Sequence, residues 1–291
     1  MVYGLEERRR VGCPFAIQVA TQVHRFMKRS LRKITWKGAR VWITGSSTGI
    51  GRALAEELAA CGARMAMTSR RPEVLDPVVR AIVDAGGEAE AFAGDVTDRE
   101  AMSGIARQIE ERWGGIDVLI ANAGTHIPSA PLEFDSRQYQ DLMGINYGGV
   151  LHCIEAVLPG MQVRGRGHIV GVASLAGYRA LPTAAAYGAS KSALIHFLQS
   201  VRFHLERESI AVTVVNPGFV RSPLTDKNDF HMPCLIEADD AARRIRRALS
   251  RGKRDIAFPA PFSWFIGLCR IIPMPLYSVI MRRVWKKTDR Q

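Results

Sequence analysis

Short apolar segments alternate with longer helix-like segments between residue 40 and about residue 257. This alternation is typical of parallel strands that are joined by crossover helices. Seven segments are candidate strands: RVWIT, RMAMT, EAFAG, DVLIA, HIVGVAS, AVTVVN and DIAFP. Six helix-like regions separate them. The sequence therefore predicts an α/β fold, with a single domain built on a doubly wound, seven-stranded parallel sheet.

The two ends of the chain differ in composition from the region between them. Residues 1–40 carry ten Lys and Arg against two Glu, and residues 243–291 carry thirteen against two Asp. The whole chain has a formal net charge of +12, so the region between the ends is acidic. We expect a basic N-terminal extension over 1–37, a folded domain over 38–256 and a C-terminal extension over 257–291. Basic ends on an acidic body predict an anionic partner.

An anionic membrane surface is the expected partner of these ends. The segment PFAIQVATQVHRFMKRSLRKI mixes apolar and basic residues, which is typical of an amphipathic interfacial helix. Residues 257–281 contain one charge, Arg270, but their four prolines argue against a straight membrane-spanning helix. No nucleic-acid partner is expected, because neither end carries a zinc-finger, helix-turn-helix or RNA-binding signature. The alternative is that both ends pack on the body or on a second subunit.

The cysteines and histidines bear on compartment and on metal binding. The five cysteines are odd in number and scattered, with no C-x-x-C pair, which favours a reduced, cytoplasmic protein. The seven histidines have no ligand-like spacing, so we expect no metal site. Together with the basic ends, these features predict a cytoplasmic location with peripheral contact to a membrane.

A glycine-rich stretch, WITGSSTGIGRAL, joins the first candidate strand to the first helix-like region. Small residues there let the backbone approach a pyrophosphate, and the N–H groups at the start of a helix favour its negative charge. A tight turn without a ligand is the alternative, but three glycines in a strand-turn-helix setting favour a dinucleotide site. The predicted cofactor-binding residues in this stretch are Gly45, Ser47, Thr48, Gly49, Ile50 and Gly51.

The end of the second candidate strand indicates which dinucleotide binds. An acidic residue at this position holds the ribose 2′-hydroxyl of NAD, whereas an Arg accommodates the 2′-phosphate of NADP. The chain has Ser69 there, followed by Arg70 and Arg71. We therefore expect NADP, bound in part by these three residues. The alternative is a pair of solvated arginines at the start of a helix, although a helix N-terminus ordinarily favours acids.

Tyr187 and Lys191 lie four residues apart in the helix-like segment AAYGASKSAL. Residues i and i+4 are neighbours on a helix, so the Lys191 ammonium should lie near the Tyr187 hydroxyl. A nearby cation favours the phenolate, so we expect a lowered Tyr187 pKa and a role as general acid and base. Ser174 ends the strand HIVGVAS and can offer a hydroxyl to the same substrate oxygen. The alternative is an ordinary surface pair, which would need neither that serine nor the glycine-rich loop.

Several motifs follow one another along the chain: TGSSTGIG, GDV, ANAG, Asn146, Ser174, YGASK and NPGFVRSP. Any one of them is weak, but the ordered set is specific. On these motifs, residues 38–256 resemble the short-chain dehydrogenase/reductase family, which has a Rossmann-type fold and transfers hydride between a nicotinamide and its substrate. The resemblance implies that Tyr187 donates or accepts the proton and that Ser174 steadies the substrate oxygen.

The resemblance also implies roles for residues outside that pair. Lys191 would bind the nicotinamide ribose, and Asn146 would hold a water that passes protons toward it. Family members often pair through the long helices that contain Asn146 and Tyr187, which implies a homodimer or homotetramer. The glycine-rich loop lacks the basic residue of many NADP-dependent members, so the NADP preference depends on Arg70 and Arg71. Further implied cofactor contacts are Asp95, Val96, Asn122, Ala123, Gly124, Pro217, Gly218, Val220 and Ser222.

The residues expected to line the substrate pocket are mostly apolar. They lie in three stretches, 125–134, 175–183 and 224–237, in which His126 and His231 could touch the substrate. A hydrophobic ketone or alcohol, of steroid, retinoid or long-chain carbonyl type, suits this composition and the membrane-seeking ends. The sequence thus predicts an NADP(H)-dependent oxidoreductase for such a substrate. Two alternatives stay open: a reductase of 3-oxoacyl thioesters, and a non-catalytic NADP-binding sensor or scaffold.

Overall fold

The structure, a computed structural model, describes residues 33–127, 134–182, 184–227 and 232–288, with only the backbone described for 284–288. Its centre is one seven-stranded sheet in which all neighbouring strands are parallel. Every candidate strand is present, with ends within two residues of those expected, which confirms the predicted fold class. The strands are β1 Arg40–Thr44, β2 Arg64–Ser69, β3 Glu88–Ala93, β4 Val118–Ala121, β5 Gly167–Val172, β6 Ile210–Pro217 and β7 Asp255–Phe258.

The spatial order of the strands is β3-β2-β1-β4-β5-β6-β7. The chain builds one half of the sheet outward from β1, returns past β1 to β4, and then builds the other half, which is a doubly wound arrangement. Because strand order reverses between β1 and β4, a crevice opens there at the carboxyl ends of the strands. Residues that directly follow several strands are thereby gathered at one edge of the sheet.

Helices cover both faces of the sheet. Buried side chains of α1, α2 and α7 form one core with the sheet, and those of α3, α5 and α6 form the other. The α-helices of the described residues are α1 Gly49–Ala60, α2 Pro72–Asp84, α3 Arg99–Trp113, α4 Ser136–Met143, α5 Gly149–Arg164, α6 Ala185–Leu205, α7 Ala238–Ser250, α8 Ala260–Cys269 and α9 Met274–Thr288.

The first strand shows why these segments form a central sheet. Because both faces of a parallel sheet are covered, its strands are nearly continuous apolar runs. Val41 and Ile43 belong to the core beside α1, whereas Trp42 belongs to the opposite core. The buried Trp42 indole Nε1 donates a hydrogen bond of 2.9 Å to Thr68 Oγ1 on the neighbouring strand. That bond satisfies a polar group that burial would otherwise leave without a partner.

Beyond the sheet, the chain continues as the helix pair α8 and α9. β7 ends at Phe258, two residues past the boundary expected at residue 256. Pro259 and Pro273 each come immediately before a helix, a place where proline does not remove a helical hydrogen bond. The prolines therefore divide this apolar segment into two helices. No helix of the described residues has the length and apolar character needed to cross a membrane.

Some predictions concern residues that the structure does not describe. The expected N-terminal amphipathic helix lies, except for its last two residues, in this category. So do residues 128–133, 183 and 228–231 of the expected substrate-binding stretches, which include His231.

Candidate active site

A crevice of about 640 Å³ lies at the carboxyl ends of the strands. Every residue that the sequence predicted to bind cofactor lines it, and so do the expected catalytic residues other than Asn146. The predicted residues that line it are Gly45, Ser47, Thr48, Gly49, Ile50, Gly51, Ser69, Arg70, Arg71, Asp95, Val96, Asn122, Ala123, Gly124, Ser174, Tyr187, Lys191, Pro217, Gly218, Val220 and Ser222.

Two glycines allow the loop after β1 to pack closely against its neighbours. Gly45 has a φ of +65°, a left-handed conformation that favours glycine. A Cβ at Gly45 would lie 2.7 Å from Ala123 Cα, and one at Gly51 would overlap the Gly45 carbonyl oxygen. No side chain caps the start of α1, and its first turn has no acidic residue. This loop and the exposed backbone N–H groups of the helix start suit a pyrophosphate.

The end of β2 presents hydroxyl and cationic groups to the crevice. Ser69 Oγ donates a hydrogen bond of 3.2 Å to Ser47 Oγ, which joins β2 to the glycine-rich loop. The Arg70 guanidinium lies 3.9 Å from the Asp95 carboxylate, and the Arg70 side chain is 68% exposed. A pair this exposed holds the arginine weakly, so Arg70 can turn toward a phosphate. Asp95 itself is fixed by the Thr97 backbone N–H and hydroxyl, at 2.9 and 2.8 Å.

Asn122, at the end of β4, connects that strand to the glycine-rich loop. Its Nδ2 donates hydrogen bonds to the carbonyl oxygens of Thr44 and Gly45, both at 3.0 Å. The backbone N–H groups of Asn122 and Ala123 each donate to Thr44 Oγ1 at 3.2 Å. The sequence predicted that Asn122 lines the crevice, but it gave no indication of these four bonds. They fix the position of the glycine-rich loop relative to β4.

Ser174 and Tyr187 bring two hydroxyls together. Ser174 follows β5, and Tyr187 lies in the first turn of α6. The Ser174 Oγ accepts a hydrogen bond of 3.1 Å from the Ala176 N–H, donates one of 3.5 Å to the Pro217 carbonyl oxygen, and interacts with the Tyr187 phenol. Packing around the phenol raises the pKa of Tyr187 above its ordinary value, and the bond with Ser174 offsets part of that rise. A raised pKa keeps Tyr187 protonated at neutral pH, as a proton donor must be.

Lys191 lies one turn along α6 and is 4% exposed. Its Nζ donates a hydrogen bond of 2.9 Å to the Val172 carbonyl oxygen and lies 5.8 Å from the centre of the Tyr187 ring. Burial disfavours the ammonium and lowers the Lys191 pKa from 10.5 to about 8. The side chain is therefore still mostly charged at neutral pH, inside a water-poor part of the crevice.

The expectation that Lys191 lowers the Tyr187 pKa is wrong in this structure. The i,i+4 spacing does place both residues on the same side of α6, where both line the crevice. The Lys191 Nζ, however, is bonded to the end of β5, and burial dominates the ionisation of Tyr187. Spacing along a helix fixes which side chains are neighbours, but the bonding partner of a long side chain depends on the strand beside it.

Asn146 lies behind the crevice and is fully buried. The chain forms a single π-helical turn at Gly144–Gly148 between α4 and α5, where the sequence predicted an ordinary helix. Asn146 Oδ1 accepts from the Thr125 N–H at 2.8 Å, while Nδ2 donates to the Thr125 carbonyl and to Ser190 Oγ, both at 3.0 Å. π-Turns inside α-helices are frequent at functional sites. A Cβ at Gly124 would lie 3.1 Å from Asn146 Oδ1 and 3.3 Å from Lys191 Nζ, so glycine keeps these two groups close.

Other residues near the site were only partly foreseen. His126, an expected substrate contact, packs edge-on against Tyr187 with ring centres 5.0 Å apart. No motif marks Asp141 or Ile145, which come from α4 and the π-turn, and their register against the crevice depends on that turn. In the described part of the chain, no three His, Cys, Asp or Glu residues cluster as a metal site would. The lining residues that were not among the predicted site residues are Thr68, Gly94, Asp141, Ile145, Val172, Ala173 and Pro223.

Comparison with known proteins defines the class. Residues 39–232 match the short chain dehydrogenase family. An uncharacterized oxidoreductase of Myxococcus xanthus is 36% identical over 242 residues, which cover 83% of this chain and 96% of that protein. An uncharacterized oxidoreductase of Mycobacterium tuberculosis is 35% identical over 256 residues, covering 86% of this chain and 74% of that protein.

Solved structures agree with the sequence comparison. A short-chain dehydrogenase/reductase of Burkholderia phymatum in complex with NAD has a TM-score of 0.74 at 22% identity, covering 80% of this chain and 93% of that one. A metagenomic short-chain oxidoreductase in complex with NADP has a TM-score of 0.68 at 32% identity, covering 77% and 98%. The chain therefore belongs to the short-chain dehydrogenase/reductase family and is an NAD(P)-dependent oxidoreductase.

Proposed function

We propose that this protein is an NADP(H)-dependent oxidoreductase that interconverts a hydrophobic ketone and its alcohol. The observation that carries the proposal is that Ser174, Tyr187, the buried Lys191 and the glycine-rich loop all line one crevice. When bound, NADP(H) supplies or accepts the hydride. A pure nucleotide sensor would use the loop but would not need two hydroxyls beside a buried ammonium.

The protein's own residues handle the proton. During reduction, Ser174 bonds the substrate oxygen, and Tyr187 transfers its phenolic proton to that oxygen as the hydride reaches the carbonyl carbon. The Lys191 ammonium lines the same crevice and would bind the nicotinamide ribose. During oxidation the same proton returns to Tyr187. Asn146 acts as a positioning residue, because its bonds to Thr125 and Ser190 hold the turn that adjoins Lys191.

The preference for NADP rests on the end of β2. Arg70 and Arg71 line the crevice beside Ser69, and no acid occupies the position of Ser69. The NADP-bound metagenomic relative supports the assignment. In Ser69→Asp, the new carboxylate would repel a 2′-phosphate and accept from a 2′-hydroxyl, so kcat/KM should shift toward NADH by about tenfold or more. An unchanged preference in that variant would contradict the role of this strand end.

A hydrophobic substrate is supported by apolar side chains in the crevice. The described residues contribute Ile127, Ile145 and Leu224 to its lining. Burying apolar substrate surface against such side chains yields roughly 25 cal/mol per Å². Long-chain, steroid-like and retinoid-like carbonyls are the classes we propose.

The test is reduction of a panel of these carbonyls by NADPH. Tyr187→Phe should lose about 10² to 10⁴-fold in kcat/KM, because the variant lacks the proton donor. Tyr147→Phe is the matched control: its ring packs against Phe197, and it does not line the crevice. The control should keep wild-type activity. A wild-type protein that binds NADPH but reduces no carbonyl faster than Tyr187→Phe would favour the sensor instead.

We also propose a homodimer or homotetramer that pairs through α5 and α6. Val163 at the end of α5 is 89% exposed and Phe203 on α6 is 61% exposed, so these helices carry apolar surface that a second subunit could cover. Light scattering on the purified protein should give a mass of two or four chains. A monomer at micromolar concentration would overturn this assembly without affecting the proposed chemistry.

A further inference from the structure

Helices α8 and α9 expose a run of large apolar side chains. We call this set the C-terminal apolar face. Trp264, Phe265 and Leu268 share one side of α8, and Ile266 and Cys269 are buried on the other. Leu276, Val279 and Ile280 share one side of α9, away from the buried Tyr277, while Ile271 lies between the helices and Met274 begins α9. Scattered single exposed apolar residues are ordinary, but a group of eight marks an interaction surface. The members are Trp264 (75% exposed), Phe265 (58%), Leu268 (58%), Ile271 (78%), Met274 (55%), Leu276 (56%), Val279 (48%) and Ile280 (37%).

The charges around this face have one sign. Residues 257–288 contain no Asp or Glu, but they contain Arg270, Arg282, Arg283, Lys286 and Lys287. Arg270, between the helices, and Arg282 and Arg283, on α9, are exposed. Apolar side chains bordered by cations are the composition of helices that lie in the interface of an anionic bilayer. Each such cation contributes attraction to anionic lipid near the surface.

A second copy of the chain fits this face poorly. A twofold pair would place the same surface patch of both subunits together. Such a pairing would bring Arg270, Arg282 and Arg283 of one subunit toward those of the other, with no acidic residue in the segment to compensate. Juxtaposed like charges disfavour association. Anionic lipid headgroups complement these cations, and acyl chains complement the apolar residues.

The helix pair is also fastened to the loop that follows the catalytic serine. The Arg179 guanidinium donates to the Ile272 carbonyl at 2.9 Å and lies 4.7 Å from the centre of the Tyr277 ring. The Tyr277 hydroxyl donates to the Ala180 carbonyl at 2.7 Å. The Arg270 guanidinium lies 4.8 Å from the centre of the Tyr178 ring. Residues 178–180 therefore move with α8 and α9, a few residues along the chain from Ser174.

We propose that the C-terminal apolar face seats α8 and α9 in the interface of an anionic lipid bilayer. The loop over 178–180 is thereby held at the membrane surface, beside the phase in which a hydrophobic carbonyl dissolves. Only the delivery of substrate rests on the proposed function. Docking itself depends on α8 and α9, so it can be tested without any turnover.

The test is flotation of the full-length protein with vesicles of phosphatidylcholine and phosphatidylserine. The triple substitution Trp264→Ser, Phe265→Ser and Leu268→Ser should reduce the vesicle-bound fraction by about tenfold or more, because it removes the exposed apolar side of α8. Val83→Ser is the control, since Val83 is an exposed apolar residue on another helix. The control should float as the wild type does.

A charge variant gives an independent test in case the triple variant fails to fold. Arg282→Gln with Arg283→Gln should weaken binding to anionic vesicles by about tenfold or more. Arg80→Gln with Arg107→Gln removes the same charge from exposed sites elsewhere and should have no such effect. The proposal would be overturned if both test variants floated as the wild type does. It would also be overturned if the wild type floated equally well with vesicles of phosphatidylcholine alone. A dimer that forms without vesicles and is lost in the triple variant would overturn the proposal as well.

Activity separates this proposal from the proposed function. Reduction of a water-soluble carbonyl by NADPH should be the same in the wild type and in the charge variant, because neither arginine lines the crevice. Loss of vesicle binding with activity retained supports the docking surface. Vesicle binding by a protein that reduces no carbonyl would support the docking surface and contradict the proposed enzymatic function.

Discussion

The crevice and the C-terminal helix pair are built on opposite principles. In the crevice, glycines and buried polar groups are fixed by close packing, as at Gly51 and Lys191. In the helix pair, one side is anchored by a few contacts such as Tyr277 to Ala180, while the other exposes large apolar side chains. In the first region, backbone geometry restricts which residues fit. In the second region, the exposed apolar composition fits the lipid bilayer that we propose as its partner.

Filling the crevice at the glycine-rich loop should strongly weaken nucleotide binding. A Cβ in Gly51→Ala would overlap the Gly45 carbonyl oxygen and lie 2.5 Å from Asn122 Nδ2. The loop must shift, so NADPH affinity measured by calorimetry should fall about 100-fold or more. Gly104→Ala is the control, because a Cβ at this site in α3 meets nothing within 4 Å. Unchanged affinity in Gly51→Ala would mean that close packing does not define this region.

Removing the buried cation should separate activity from stability. Lys191→Met removes the ammonium that we expect to bind the nicotinamide ribose, so kcat/KM should fall about 100-fold. The folded-state pKa of Lys191 is depressed to about 8, so below that pH folding carries the cost of a buried charge. That cost disappears in the variant. The Tm at pH 7 should therefore stay at or above the wild-type value, and a large fall would show that Lys191 is chiefly structural.

The pH dependence of reduction should report the same group. Lys191 is mostly charged at pH 7 and mostly neutral at pH 9, because burial lowers its pKa to about 8. Tyr187 stays protonated across this range, since its pKa is raised. The rate of carbonyl reduction should therefore fall as pH rises through about 8, by about tenfold between pH 7 and pH 9. The profile of Lys191→Met should lack this inflection, and its persistence would assign the ionisation to another group.

The smallest effect is expected at the anchor of the helix pair. Tyr277→Phe removes the hydrogen bond to the Ala180 carbonyl but keeps the ring beneath Arg179. The loss should be about 1 kcal/mol, seen as a fall in Tm of about 2–4 °C. Tyr147→Phe, which makes the same chemical change in the body, should leave the Tm within about 1 °C of the wild type. An unchanged Tm in Tyr277→Phe would mean that this hydrogen bond does not stabilise the helix pair.

Much of the fold could be predicted because its signals are local. Strands that are buried on both faces must be apolar, so apolar segments in the sequence predicted the positions of all seven strands. The glycine-rich loop could also be predicted from the sequence, because Gly45 lies so close to Ala123 that no side chain fits there. Residues that follow parallel strands meet at one edge of the sheet. That rule predicts that Ser69, Asn122 and Ser174 lie at one edge of the sheet, and all three line the crevice.

The features that were missed depend on contacts between distant segments. The Lys191 Nζ bonds Val172, which belongs to another element, so the spacing from Tyr187 alone could not reveal its direction. The π-turn around Asn146 is supported by bonds to Thr125 and Ser190 that only the folded chain makes. The division of the apolar tail into α8 and α9 could have been inferred from its prolines. Their anchoring at Arg179 could not, because no local pattern records it.

Tyr187-dependent hydride transfer is tested by following deuterium from NADPH that carries deuterium at both C4 positions of the nicotinamide. In a single turnover with a hydrophobic ketone, the wild type and Tyr147→Phe should place deuterium on the carbinol carbon of the product. Tyr187→Phe should bind the labelled NADPH with similar affinity and transfer almost none in the same time. Equal transfer by Tyr187→Phe, or none by the wild type with any carbonyl of the panel, would contradict a Tyr187-driven hydride transfer.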